Sequence, residues 1–292
     1  GNAIAAAARN AIGQIKEIAA QAWGIDPEEI EHGPERVFWR QDESRSMSLA
    51  EVAMGCVQPD GQAVGGPVVG YGRFGRLTVQ NLTPDCPVVV FTRDQGKGED
   101  IAEAGGRLVS LEEACAQEIV ILCVPISAMQ TTLKQIAALV KTDALIIDVC
   151  SVKVYPVKWM KELLPESTQI LATHPMFGPD SASISLAGHK MVMCPVRIQP
   201  QRYNKIEQWL RKKHLTVIET TPDDHDQKIA VSLALTHFIG RSLAEFGALP
   251  MNIDTEGYKR LLHILGVTNN DTMQLFEDMH TYNPYAGDKR EA

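Results

Sequence analysis

Three segments of the 292-residue chain carry residues able to do chemistry together. In the first, Val68-Val69-Gly70-Tyr71-Gly72-Arg73-Phe74-Gly75, a short apolar run leads into G-x-G-x-x-G and then a helix-like sequence. In that spacing Gly70 permits a tight turn, Gly72 lets backbone approach a pyrophosphate, and Gly75 allows close packing of helix on strand, with the phosphate on the helix N-terminus. Alone, the pattern has little specificity. It gains weight from a second apolar run, Pro87 to Phe91, which ends about 20 residues on in Thr92-Arg93-Asp94, where ribose selection is made. An acid directly at the strand end would bind the 2′-hydroxyl of NAD, whereas Thr92 and Arg93 offer a hydroxyl and a guanidinium to a 2′-phosphate. The expected cofactor is therefore NADP in preference to NAD. Its expected contacts are Gly70, Gly72, Arg73, Phe74, Gly75, Thr92 and Arg93, with Val124 and Pro125 at the end of a later strand. A solvated surface arginine is the rival reading of Arg93.

The second segment, Ile146-Ile147-Asp148-Val149-Cys150-Ser151-Val152-Lys153, ends an apolar run with polar residues. That is the edge where open α/β sheets bind ligands, so Ser151 and Lys153 are expected to face the crevice. The third, Thr173-His174-Pro175-Met176-Phe177-Gly178-Pro179-Asp180, places an imidazole on the same edge, and histidine is the natural general base near neutral pH. Further on, Thr221-Pro222-Asp223-Asp224-His225-Asp226 starts a helix, with Thr221 as N-cap and Pro222 at its first position. Asp226, Leu233 and His237 fall on one face of it, since seven and eleven residues at about 100° each return near zero. Each residue also has a plainer reading. His174 beside proline can be a hydrogen-bonded loop residue, Ser151 a helix cap, and His237 a satisfied core histidine.

These residues need a scaffold, and the texture of the chain supplies one. Val88 to Phe91, Ile119 to Val124 and Ala144 to Val149 are β-branched runs without polar alternation, as in parallel strands covered on both faces. Helical candidates lie between them at Arg73 to Asn81, Glu99 to Ala104, Leu111 to Ala116 and Ser127 to Val140, giving a β-α-β rhythm. Gln169 to Thr173 and Lys190 to Met193 read as later strands. After Pro200 the pattern turns helical, with Gln201 to Lys213, a strand-like Leu215 to Thr220, then Pro222 to Phe246, Thr255 to Leu265 and Thr272 to His280. The expectation is an α/β fold: a Rossmann-type doubly wound parallel sheet, residues 67–199, followed by an all-helical substrate and dimerisation domain, residues 200–292. Gly66-Pro67 leaves only two clear residues for the first strand, where Pro67 cannot donate to a ladder.

Residues 1–66 read as a mostly helical extension of unrelated character. Ala3 to Trp23 suggests one long helix, Asp26-Pro27-Glu28-Glu29 an N-cap with proline in the first turn, Glu35 to Trp39 a strand, and Ser48 with Glu51 a capping box. A turn cluster at residues 58–66 marks the boundary.

Composition narrows the functional classes. Lys and Arg number 28 against 36 Asp and Glu, a net charge of −8 that argues against nucleic acid as partner. No apolar run is read as a membrane span, no signal-like start is seen, and a cytoplasmic location is expected. Six cysteines without a C-x-x-C pair read as reduced thiols rather than metal ligands, so no metal is expected.

Taken together, Gly70 to Gly75, Asp148 to Lys153, His174 to Asp180, the His225-Asp226 pair, Leu235-Thr236-His237-Phe238-Ile239-Gly240-Arg241 and Tyr282-Asn283-Pro284-Tyr285-Ala286 resemble the prephenate/arogenate dehydrogenase family of tyrosine biosynthesis, over roughly residues 68–286. The resemblance implies that His174 accepts a hydrogen bond or proton from the substrate's ring hydroxyl, that Ser151 touches the same hydroxyl, and that His237 helps to hold the substrate. It also implies a basic partner for a substrate carboxylate, with Lys259 and Arg260 as the candidates and Lys153 a further substrate-binding residue. A homodimer is implied as well. Residues 1–66 instead resemble a fragment of the large subunit of molybdenum hydroxylases of the xanthine dehydrogenase type, and no function is transferred from it.

The expected reaction is oxidative decarboxylation of prephenate or L-arogenate with hydride transfer to NADP. One alternative is another hydroxyacid dehydrogenase with the same Rossmann and helical plan, in which Lys153 would be essential. A second is a catalytically inactive chimeric binding protein.

Overall fold

The computed structural model describes Lys16, Ala19, Ala20 and residues 23–33, 36–48 and 68–287. The capping-box helix expected after Ser48, most of the long helix expected over Ala3 to Trp23, and the boundary at 58–66 lie outside these residues. Lys16, Ala19, Ala20 and Trp23 are helical. Asp26 caps a short 3₁₀ turn, Pro27–Glu29, by accepting from the Glu28 amide. The described residues of the extension also include strands, which the mostly helical expectation did not foresee. Strands β1 (Ile30–His32), β2 (Arg36–Trp39) and β3 (Asp42–Ser48) form an antiparallel sheet in the order β1-β2-β3. β3 reads Asp-Glu-Ser-Arg-Ser-Met-Ser, a polar run with no apolar alternation to announce a strand.

The main sheet begins with β4, Val68–Val69, only two residues long and fully buried. The chain continues through α1 (Arg73–Leu82), β5 (Val89–Phe91), α2 (Gly98–Glu103), β6 (Arg107–Leu108), α3 (Leu111–Cys115), β7 (Ile119–Leu122), α4 (Ile126–Ile136), β8 (Leu145–Asp148), α5 (Val154–Leu163), β9 (Gln169–Pro175), β10 (Lys190–Arg197), α6 (Pro200–Lys212) and β11 (Thr216–Glu219). The eight strands lie in the order β11-β10-β9-β8-β7-β4-β5-β6. All neighbouring pairs are parallel except β9 with β10, an antiparallel pair that the alternating pattern did not reveal. β4 sits between β5 and β7, so the connections out of it and back diverge there and open a crevice at the carboxyl ends of the strands.

Apolar side chains cover both faces, which is why β7, β8 and β9 contain unbroken apolar runs. Val120, Leu122, Ile146, Ile170 and Ala172 pack with α4 residues Met129, Leu133 and Ile136 on one side. Ile121, Ile147 and Leu171 pack toward α1 and α6 on the other.

The remaining chain is helical: α7 (Pro222–Ile229), a π-helical turn (Ala230–Ala234), α8 (Leu235–Phe246), α9 (Glu256–Asn269) and α10 (Met273–Thr281). Thr221 caps α7 through the Asp224 amide, as its sequence suggests. The π turn inserts extra backbone and rotates α8 about the helix axis relative to α7. The buried row is therefore Asp226, Ala230, Ala234, His237 and Gly240, with Ala234 in the place expected for Leu233.

By length and composition the continuous helix Pro222–Phe246 could cross a membrane, contrary to the sequence-based expectation that no run does. Its first turns, however, carry buried His225 and Asp226 bonded to the sheet region.

Candidate active site

At the nucleotide loop the glycines are needed for steric reasons. Gly70 has φ +97°, and a Cβ there would lie 2.5 Å from the carbonyl oxygen of Cys123 and 2.9 Å from the Val124 side chain. A Cβ on Gly75 would meet the Gly70 oxygen at 2.5 Å. Gly72 faces open space and is the N-cap of α1 with no side-chain cap, so the first-turn N–H groups of a ten-residue helix are left to an anion. Val124 and Pro125 follow β7 on the far side of the crevice, with Pro125 at the N-cap of α4. These groups fit a dinucleotide.

Arg93, two residues past β5, is exposed and makes no ion pair with the described residues, whereas Thr92 is buried. Arg93 is thus the group open to a 2′-phosphate. Asp94 is occupied as cap of the next turn, accepting from the Gly96 amide. The side chains of two expected cofactor contacts have protein partners, while their backbone N–H groups belong to the first turn of α1. The Phe74 ring packs toward Phe177, 6.3 Å between centroids. The Arg73 guanidinium joins Asp180 at 2.5 Å and the carbonyl of Asn270 at 3.2 Å, tying the glycine loop to the segment after His174 and to the helical region.

At the ends of β8 and β9 the parallel register pairs Asp148 with Ala172, which sets Ser151 and His174 on adjoining strand ends. The Ser151 hydroxyl oxygen is buried without a hydrogen-bond partner. Lys153 does not face the crevice, and the substrate-binding role expected of it is corrected here. It is fully buried, its ammonium paired with Asp148 and donating at 2.6 Å to the carbonyl of Thr173. A buried ammonium needs such partners, and here they lock β8 to β9.

His174 belongs to a chain of three buried side chains. Its Nδ1 lies 2.9 Å from Nε2 of His225, whose Nδ1 lies 2.7 Å from Oδ1 of Asp226. Asp226 also accepts from the amides of Lys153 at 2.7 Å and Val154 at 2.8 Å, capping α5 from 72 residues away. The carboxylate fixes the tautomers: His225 donates from Nδ1 to Asp226, His174 donates from Nδ1 to His225, and Nε2 of His174 keeps its lone pair. Burial, then His225 and Lys153, hold the His174 imidazole well below its ordinary pKa, so it is neutral and able to accept.

The helical region supplies His237, Arg241 and Asp271. His237 is buried, with Nε2 3.5 Å from the Asp271 carboxylate and Nδ1 unpartnered. Burial chiefly, with Arg241 adding to it, holds its pKa below the usual value against the pull of Asp271. Arg241, one turn on, donates to the Asp271 carbonyl and has a buried, unpartnered Nε. Lys259 and Arg260 lie exposed on α9, with Lys259 paired to Glu256, so the structure does not bring them to His237. Asp271 was not singled out from the sequence, and Arg241 stood in the quoted motif without a role. A further local signal for Arg241 is its i+4 spacing from His237.

Among the described residues, orphaned polar atoms thus occur both at the strand ends, on Ser151, and on the helical side, on His237 and Arg241. A cavity of about 440 Å³ lies behind β9, lined by Leu171, Thr173, Pro175 and Phe177, on the strand face opposite His174.

Residues 94–219 match the family model of the prephenate dehydrogenase nucleotide-binding domain. Residues 242–292 match that of a TYRAAT1-like C-terminal domain. The chain is 31% identical over 229 residues to arogenate dehydrogenase 2, chloroplastic, of Arabidopsis thaliana, covering 75% of this chain and 64% of that one. It is 29% identical over 212 residues to a probable arogenate/prephenate dehydrogenase of Methanocaldococcus jannaschii, covering 68% of this chain and 46% of the other. It therefore spans less than two thirds of the length of these relatives. Among solved structures, prephenate dehydrogenase from A. aeolicus in complex with hydroxyphenyl propionate and NAD+ superposes with a TM-score of 0.65 at 17% identity, over 79% of this chain and 86% of that one. Synechocystis arogenate dehydrogenase gives 0.61 at 20%, over 78% and 88%. At such identities these two show a shared fold. The comparisons support the family resemblance of the main body and give none to that of residues 1–66 with molybdenum hydroxylases.

Proposed function

We propose that this chain is a nicotinamide-dependent dehydrogenase of the prephenate/arogenate type, which oxidatively decarboxylates a cyclohexadienyl substrate in the formation of tyrosine. The observation that carries this reading is the neutral His174, its Nε2 lone pair fixed by His225 and Asp226, beside the unpartnered Ser151 hydroxyl on the edge that also holds the glycine loop. When bound, the nicotinamide supplies the acceptor for the hydride leaving the carbinol carbon. His174 takes the hydroxyl proton as the hydride departs, and Ser151 orients that oxygen. Breaking the ring-to-carboxylate bond sends its electron pair into the ring and releases carbon dioxide. The ring oxygen then recovers the proton from His174, so no proton is released overall. Aromatisation supplies the driving force, and the protein chiefly orients the substrate.

L-Arogenate fits the helical side better than prephenate. Its side chain carries an ammonium and a carboxylate, and the site offers the Asp271 carboxylate beside the Arg241 guanidinium. A keto acid would meet the cation alone and leave the anion without a partner. The names of the relatives from Arabidopsis point the same way.

NADP is the proposed cofactor, on the strength of exposed Arg93 and the occupied Asp94. A reducing compartment such as the cytoplasm suits Cys115, Cys123, Cys150 and Cys194, which form no disulfide among the described residues. Residues 1–66, 67–199 and 200–292 are proposed as separate units. A homodimer is proposed from the exposed Phe246, Leu249, Met251 and Ile253. Steady-state rates with both substrates against both cofactors test the reading, which expects the highest kcat/KM with L-arogenate and NADP and fails if neither substrate is turned over.

A further inference from the structure

We infer that the Arg73 side chain, although it stands inside the glycine fingerprint, serves the substrate and not the cofactor. By holding the turn at residues 270–271 it positions Asp271 for the amino group of L-arogenate, and so sets a preference for an amino acid over a keto acid. This rests on the reading that Asp271 and Arg241 hold the substrate's side chain.

The last carbonyls of a helix have no partner further along it, and basic side chains commonly supply one. The end of α9 meets two arginines from different directions. Arg73, from the glycine loop, donates at 3.2 Å to the carbonyl of Asn270, the C-cap of α9. Arg241, from α8, donates to the carbonyl of Asp271. The Asp271 carboxylate leaves the same turn and lies 3.5 Å from Nε2 of His237. On the α8 side the turn has a second constraint, because a Cβ on Gly240 would clash with the Thr268 side chain, so the end of α9 is pressed against α8 there. On the side of the glycine loop, Arg73 supplies the tie.

The backbone and side chain of Arg73 have separate tasks. Its N–H belongs to the first turn of α1, where a phosphate would sit. Its guanidinium is spread between the Asp180 carboxylate, at 2.5 Å, and the Asn270 carbonyl. A planar fork that holds two acceptors fixes direction in a way a single ammonium does not. The ion pair with Asp180 is half-exposed and adds little to stability, so its contribution is placement.

Placement decides which substrate benefits. L-Arogenate and prephenate share the ring, its hydroxyl and both carboxylates, and differ in the ammonium that replaces the keto oxygen. A charge-assisted bond from that ammonium to Asp271 depends on distance and angle. A turn released from Arg73 therefore costs L-arogenate that bond and costs prephenate nothing equivalent, and specificity is the difference between the two affinities. Arg73 touches neither the reacting atoms nor the ammonium in this scheme. It is a positioning residue acting through Asp271.

The test is Arg73→Met, which keeps the aliphatic stem and removes the fork. Initial rates give KM for L-arogenate and, with prephenate added as competitor, its inhibition constant Ki, whether or not prephenate is itself turned over. KM for L-arogenate should rise about tenfold, as for a weakened charged hydrogen bond, with a smaller change in kcat. Ki for prephenate and the Kd of NADPH, read by fluorescence, should each stay within a factor of about two, since neither ligand uses the displaced carboxylate. A KM that is unchanged, or that rises together with Ki or with the Kd of NADPH, overturns the inference. Asp180→Asn frees the guanidinium from its other partner and should raise the ratio of KM to Ki by about threefold, a partial loss of the same bond. Should Arg73→Met not fold, an unchanged ratio in Asp180→Asn overturns the inference. Asp271→Asn separates the two levels. If it leaves the ratio of KM to Ki unchanged, Asp271 does not meet the ammonium and the underlying reading has failed. If the ratio rises in Asp271→Asn but not in Arg73→Met, the role of Arg73 alone has failed.

Discussion

His174 Nδ1 and His225 Nε2 lie 2.9 Å apart, with the two rings edge to face at 71°. One histidine comes from the end of a strand and the other from the first turn of a helix 51 residues later, and both are withdrawn from solvent. Because Asp226 dictates the tautomer of the second ring, it also dictates which nitrogen of the first faces the substrate.

Arg93 is proposed to discriminate between the cofactors. Arg93→Ala should weaken NADP by about 1.5 kcal/mol or roughly tenfold, as loss of a charge-assisted bond to the 2′-phosphate would, and leave NAD almost untouched. Fluorescence titration with both reduced cofactors reads the difference, and equal losses would make Arg93 a bystander.

Lys153 stabilises the fold. Lys153→Met leaves the Asp148 carboxylate buried without its partner, so unfolding free energy should drop by about 3 to 5 kcal/mol, and a double variant with Asp148→Asn should recover much of that loss. Urea denaturation checks this. An unchanged midpoint in the single variant would contradict the structural role.

Arg241 is proposed to hold the substrate's carboxylate. Arg241→Leu should raise KM for L-arogenate by about 10- to 100-fold, in line with a lost charged hydrogen bond, with a smaller change in kcat. Lys259→Leu and Arg260→Leu should each leave KM within a factor of about two, since exposed charges contribute little. The reverse ranking would restore the assignment to α9.

Self-association through the helical region is proposed. Phe246 and Ile253 are 83% and 81% exposed, and large apolar side chains so exposed in one stretch of chain suit an interface. Sedimentation at micromolar concentration should show twice the chain mass of 32.1 kDa, and Phe246→Glu with Ile253→Glu should shift it toward the single chain. A monomeric wild-type protein would contradict this.

Legibility from sequence followed the range of the interactions. β7, β8 and β9 could be read from their unbroken β-branched runs, and the glycine loop from its spacing, because backbone sterics and burial on both faces act locally. The helix α5, Val154–Leu163, could not. Its sequence opens with Val-Tyr-Pro-Val, its N-cap Lys153 makes no side-chain capping bond, and the carboxylate that caps it belongs to Asp226. The π turn was equally hidden, since nothing in Ala230 to Ala234 departs from helical composition, yet it moves Leu233 off the buried row that leads to His237. In the site, His174 and Ser151 stood out at strand ends. Arg241 did not, because an arginine within a helix reads as a solvated face until its neighbours are known.

The most direct test measures both products of L-arogenate labelled with carbon-14 in its ring carboxylate, with NADP and either wild-type protein or His174→Ala. The wild type should give equal amounts of labelled carbon dioxide and reduced cofactor. The variant should show a kcat lower by about two to four orders of magnitude, as expected for a lost proton acceptor, with NADP affinity within a factor of about two. Reduced cofactor without carbon dioxide, or a His174→Ala protein that turns over at the wild-type rate, would contradict the proposed function.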